Sequence, residues 1–75
     1  MNLSELLIGQ KAIITDVSSA AIPLKLLEMG CLPGNEVELL HVAPLADPLY
    51  LNVNGTHLAI RKDLANHILI TLSNG

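Results

Sequence analysis

Apolar and polar residues alternate most cleanly from residue 49 onward. Leu49, Leu51 and Val53 share one parity, Tyr50 and Asn52 the other, which predicts a half-buried strand. Asn54-Gly55 follows, the dipeptide favoured by a two-residue type I′ hairpin. Thr56 to Arg61 then returns as a strand with Leu58 and Ile60 inward. Lys62-Asp63-Leu64-Ala65 predicts a single 3₁₀ turn. His67 to Leu72 predicts a last strand with Ile68, Ile70 and Leu72 inward, and Ser73-Asn74-Gly75 is expected to fray.

Upstream the pattern is less regular. Asn2 to Ile8 predicts one helical turn, N-capped by Ser4 and stopped by Gly9, with Leu3, Leu6 and Leu7 as a lid. Lys11 to Val17 is rich in β-branched residues and predicts the first strand. Asn35 to Ala43 predicts the second, but its parity switches: Val37 and Leu39 share one face, Leu40 and Val42 the other. A strand with one buried face keeps one parity. The switch therefore predicts a bulge or bend near Leu39-Leu40, the kind of corner a small barrel needs. Two prolines bound the loop from Ala43 to Pro48, where the ladder must stop.

Between these strands a helix is expected from about Ala20 to Met29. Ser18 or Ser19 would cap it and Pro23 would lie in its first turn. Gly30 would follow as a left-handed terminator, and Leu32-Pro33-Gly34 would turn into the next strand. Together these elements predict a mainly β fold over residues 1–75: a small SH3-like barrel of five strands, with a short helix between strands 1 and 2 capping an open side.

Composition adds a constraint. The 75 residues include no Phe or Trp, one Tyr and one Cys, so the core must be aliphatic and without an intrachain disulfide. The hydrophobic fraction is 51% and the mean hydropathy +0.51, more than so small a domain can hide. Apolar side chains should remain outside, to be covered by a protein partner or by another copy in a homo-oligomer. The net charge of −3, with four Lys and Arg, argues against nucleic acid and against a polybasic membrane-surface binder. No apolar run is long enough to span a bilayer and no signal peptide opens the chain, so a reduced cytoplasmic location is expected.

The candidate docking residues follow from the helix. Ile22, Leu26 and Met29 fall on one side; Leu24 and Leu27 fall on roughly the opposite side. Leu24 and Leu27, with Leu45 and Tyr50 as neighbours, form the expected partner-binding surface. The plainer alternative is that the wider apolar arc lies buried beneath the N-terminal turn. For metals, the soft candidates are His41, His57, His67 and Cys31, and the hard ones Glu36, Glu38 and Asp47. None has ligand spacing, and surface histidines are the commoner explanation. His57 and His67 should point outward, and would lie close if strands 4 and 5 pair. Cys31 follows a helix C-terminus, which disfavours its thiolate, so a small apolar role in a turn is expected. Arg61, Lys62 and Asp63 read as solvated charge, or Arg61 pairs with Asp47 and braces the loop. No nucleophile has a base motif and no phosphate-binding loop is present, so neither an enzyme nor a cofactor is expected.

The stretch LLEMGCLPGNEVELLHVAPLADPLYL, followed by LAIRKDLANHILI, closely resembles the FeoA (ferrous iron transport protein A) family. The matching features are Leu26, Gly30, Pro33-Gly34, Ala43-Pro44, Asp47-Pro48 and Arg61, and the likeness runs from about Leu6 to Leu72. Ala46 departs from it, where the family often has glycine. The resemblance implies an SH3-like barrel in the bacterial cytosol. It also implies work alongside FeoB, a large membrane transporter with a cytosolic GTPase domain, by binding and modulating it rather than carrying iron. The same fold occurs as the C-terminal domain of iron-dependent repressors resembling the diphtheria toxin repressor, whose DNA-binding helical region this chain lacks. Two other functions stay open: a small metal-sensing or iron-delivery protein, and a stand-alone, repressor-like peptide-binding domain.

Overall fold

A computed structural model describes residues 1–73. After a 3₁₀ turn at Leu3–Glu5 the elements are β1 (Lys11–Val17), α1 (Leu24–Glu28), β2 (Glu36–Val42), β3 (Leu49–Val53), β4 (Thr56–Ile60), α2 (Lys62–Ala65) and β5 (Ile68–Leu72). All strand pairs are antiparallel, in the order β4-β3-β2-β1-β5. Buried side chains of all five strands meet in one cluster, among them Ala12, Ile14, Leu39, Leu51, Leu58 and Ile70. One sheet can converge on one core in this way only by wrapping around it. The architecture is the expected mainly β, SH3-like one.

The corners lie at bulges. Register slips between Leu39 and His41 on β2, where the parity switch predicts it, and between Ile14 and Asp16 on β1. The slip leaves Leu39 2% exposed and turns the neighbouring Leu40 outward. Asn54 and Gly55 both have positive φ, 51° and 90°, as the type I′ hairpin requires. Gly30 has φ 114° and its Cα side faces Val53, so the position needs glycine for its backbone conformation.

Five details differ from expectation. The helix starts at Leu24, not Ala20, with Pro23 as its N-cap residue. Before it, the Ser18 carbonyl accepts from the amides of Ala21 and Ile22 in a separate turn, because a residue preceding proline is pushed out of the helical region. The first turn is capped by Asn2 rather than Ser4: Asn2 Oδ1 accepts from the Ser4 amide, and Glu5 Oε1 from the Asn2 amide. An amide oxygen two residues earlier completes a reciprocal box that the Ser4 hydroxyl could not. Leu7, expected in the lid with Leu3 and Leu6, is 66% exposed, since the short 3₁₀ turn ends before it. α2 closes with α-type bonds, Ala65 to Arg61 and Asn66 to Lys62, and so delivers Ala65 into the core. Leu72 faces Ala12 across the sheet but lies at the strand's end, where the barrel rim leaves it 40% exposed.

β4 and β5 form the two edges of the sheet and do not pair. The β5 edge is partly covered by the chain's own start, through a bridge between Asn2 and Leu69. Ser73 hydrogen-bonds the Lys11 carbonyl. The expected fraying of Asn74 and Gly75 lies outside the described residues.

Candidate functional site

The loop between β2 and β3 is held from three directions. Its base is closed by the Ala43 amide on the Pro48 carbonyl (3.1 Å), and its tip by the Ala46 amide on the Ala43 carbonyl (2.8 Å). Its side is fixed by Asp47, whose Oδ1 accepts from the Lys62 amide at 2.9 Å. The brace expected from an Arg61–Asp47 pair is made instead between Asp47 and the main chain at the start of α2, one of the donors a helix leaves without an internal partner. Ala46 sits at φ 67°, the left-handed region that penalises a side chain. At this braced tip Leu45 is 93% exposed. Covering a leucine gains about 1.5–3 kcal/mol, so a leucine held in water on a braced main chain is a ready anchor.

The helix presents less than the periodicity suggested. Five residues make little more than one turn, and none of them is fully buried. Leu26, Leu27 and Met29 pack partly against the core, while Leu24 is 68% exposed. The second stripe thus reduces to Leu24, with Leu27 at its inner margin.

Tyr50 lies outward on β3 and its ring stacks on that of His41, with centroids 5.6 Å apart and planes at 24°. It belongs to an apolar groove of about 340 Å³, lined also by Leu40, Leu51, His57, Leu58 and Ala59. Neither Leu24, Leu27 nor Leu45 lines this groove. Sequence reasoning passed over Leu40 and Ala59 as contributors. The signal for Leu40 was present, since the parity switch already turned it outward. Ala59 carried none, being a small residue at an outward position. On the neighbouring stretch of sheet, Glu36, Glu38, Asn52, Asn54 and Gly55 line a polar hollow of about 180 Å³.

The other candidates are dispersed. His41, His57 and His67 are all exposed, and His57 and His67 are not brought together by strand pairing, because their strands lie at opposite edges. Among the described residues no three of His, Cys, Asp or Glu gather as a metal-binding group. Cys31 is fully buried, and desolvation pushes its thiol up from the ordinary value. It packs as a small apolar side chain. No described helix is long and apolar enough to cross a membrane.

The model of the FeoA domain family matches residues 1–72. A fusion of Fe(2+) transport protein A with Fe(2+) transporter FeoB from Porphyromonas gingivalis is 34% identical over 73 residues. That match covers 96% of this chain but only 9% of the fusion protein. The solution structure of FeoA from Chlorobium tepidum superposes with a TM-score of 0.88 at 36% identity, covering 96% of this chain and 70% of that one. The zinc complex of Stenotrophomonas maltophilia FeoA, described as a prokaryotic SH3 domain protein, gives a TM-score of 0.80 at 30% identity, covering 95% and 89%.

Proposed function

The chain belongs to the FeoA family, which is associated with ferrous iron transport, and from that premise we propose that it is a cytoplasmic regulator that acts by direct contact with an FeoB-type transporter. The observation that carries this reading is the Porphyromonas gingivalis fusion, in which a segment like this chain and an FeoB transporter share one polypeptide. A covalent link holds two modules at high effective concentration, and is useful where the two act on each other. Without such a link, the same encounter rests on surface affinity.

Leu45 and Leu24, with the margin of Leu27, supply that affinity, while Tyr50 belongs to the separate groove on the sheet. The braced loop lowers the entropy lost on docking, because the main chain that carries Leu45 is already held. The regulation follows from differential binding: contact with one state of the transporter's cytosolic part raises the population of that state. No chemical step by the chain is required, and it needs no cofactor.

The test is retention of the chain on immobilised, detergent-solubilised FeoB-type transporter. Leu24→Gln and Leu45→Gln, with unchanged circular dichroism, should lose retention. Undiminished binding of both would remove the reading. A second reading, metal delivery or sensing, draws on the zinc complex of the Stenotrophomonas maltophilia relative. Sub-micromolar ferrous binding by calorimetry would favour it.

A further inference from the structure

We propose that the outer face of β2, β3 and β4 is a second docking surface, and that it takes an extended protein segment carrying an apolar side chain and, two residues further on, a lysine or arginine. The inference rests on the reading above only in that the segment belongs to the transporter. Sheet register arranges this face in rows. His41, Tyr50 and Ala59 lie opposite one another across three strands, and so do Glu38, Asn52 and His57. Tyr50 and Ala59 of the first row, with Leu40 and with His57 from the second, line the apolar groove. Glu38 and Asn52 of the second row, with Glu36, Asn54 and Gly55, line the hollow with its two carboxylates.

Two residues along a strand separate the rows, about 7 Å at the usual rise. An apolar side chain seated over Tyr50 and Leu40 therefore places a side chain two residues further on above Glu38 and Asn52. The charge there selects its kind. Lys11 lies opposite Glu38 on β1 and offsets part of one carboxylate, but it does not line the hollow, and Glu36 faces Ile13 instead. An acidic or neutral neighbour would gain nothing, whereas a cation beside an apolar anchor satisfies both halves of the face. A second copy is a poorer occupant, because a chain of net charge −3 would bring its own excess of acids to this face.

The experiment is retention on the same immobilised transporter, at salt from about 50 mM to about 500 mM. Three forms are compared: the unmodified chain, the Glu36→Lys/Glu38→Lys double variant and Leu40→Ser. All three positions are surface ones, and the fold is checked by amide NMR spectra. Should the double lysine variant misfold, Glu36→Gln/Glu38→Gln replaces it. The expected result is affinity lowered about tenfold by the charge variant, loss of most of its salt dependence, and a comparable loss for Leu40→Ser at all salts. Retention of the unmodified chain with both variants unaffected overturns this inference and leaves the proposed function standing. No retention of the unmodified chain overturns both. A dimer in sedimentation velocity that Leu40→Ser dissolves also overturns it, by assigning the face to a second copy.

Discussion

Asp47 and Lys62, fifteen positions apart in the chain, are joined by a 2.9 Å hydrogen bond from the Lys62 amide to the Asp47 carboxylate. The bond ties the loop that carries Leu45 to the first turn of α2. A cap supplied from a distant loop should be worth what a local one is, about 1 kcal/mol. Asp47→Ala should therefore lower Tm by about 4–8 °C, and Asp47→Asn, which keeps an acceptor, by less. Differential scanning calorimetry reads both, and equal Tm values for all three would show that the bond contributes nothing.

Ala46 holds a left-handed conformation that glycine adopts without penalty. Ala46→Gly should stabilise the fold by about 1 kcal/mol, less the extra freedom glycine has in the unfolded chain. A rise in the urea midpoint with an unchanged slope is the expected signature.

Leu45 and Leu39 separate binding from folding. Leu45→Gln, at a side chain 93% exposed, should change stability by no more than about 0.5 kcal/mol. Leu39→Ala, at one 2% exposed, should cost about 2–5 kcal/mol. Chemical denaturation measures both, and only the first should also weaken retention on the transporter in the folded state.

The raised thiol of Cys31 gives a pH signature. Above the ordinary thiol pKa the unfolded chain releases a proton that the folded chain keeps, so the unfolded state binds fewer protons and stability falls with rising pH. The contribution is complete below the unfolded value and is lost as pH climbs toward the folded one. Urea midpoints at pH 7 and about pH 10 should differ more for the unmodified chain than for Cys31→Ala. Ellman's reagent should react slowly with the native protein and rapidly after unfolding.

Most of the strands were legible because their information is local. Leu49, Leu51 and Val53 alternate, Asn54-Gly55 turns, and the change of parity at Leu39-Leu40 is where the register slips. The helix was overdrawn because apolar residues continue past the point where Pro23 allows helix to begin. The candidate surface was only half legible. Leu24, Leu45 and Tyr50 could be named as apolar residues in excess, yet Leu27 shares that chemistry and packs partly inward.

The order of apolar and polar residues by itself determined the five strands, the hairpin, the bulge and the surplus of aliphatic side chains, since each depends on neighbours a few positions away. Tertiary structure alone decided that Asp47 reaches the Lys62 amide, that His41 lies against Tyr50, and that Leu40, Tyr50 and Ala59 share one groove. Those contacts depend on strand register and on how far the sheet coils, and a chain of side chains read in line carries neither distance.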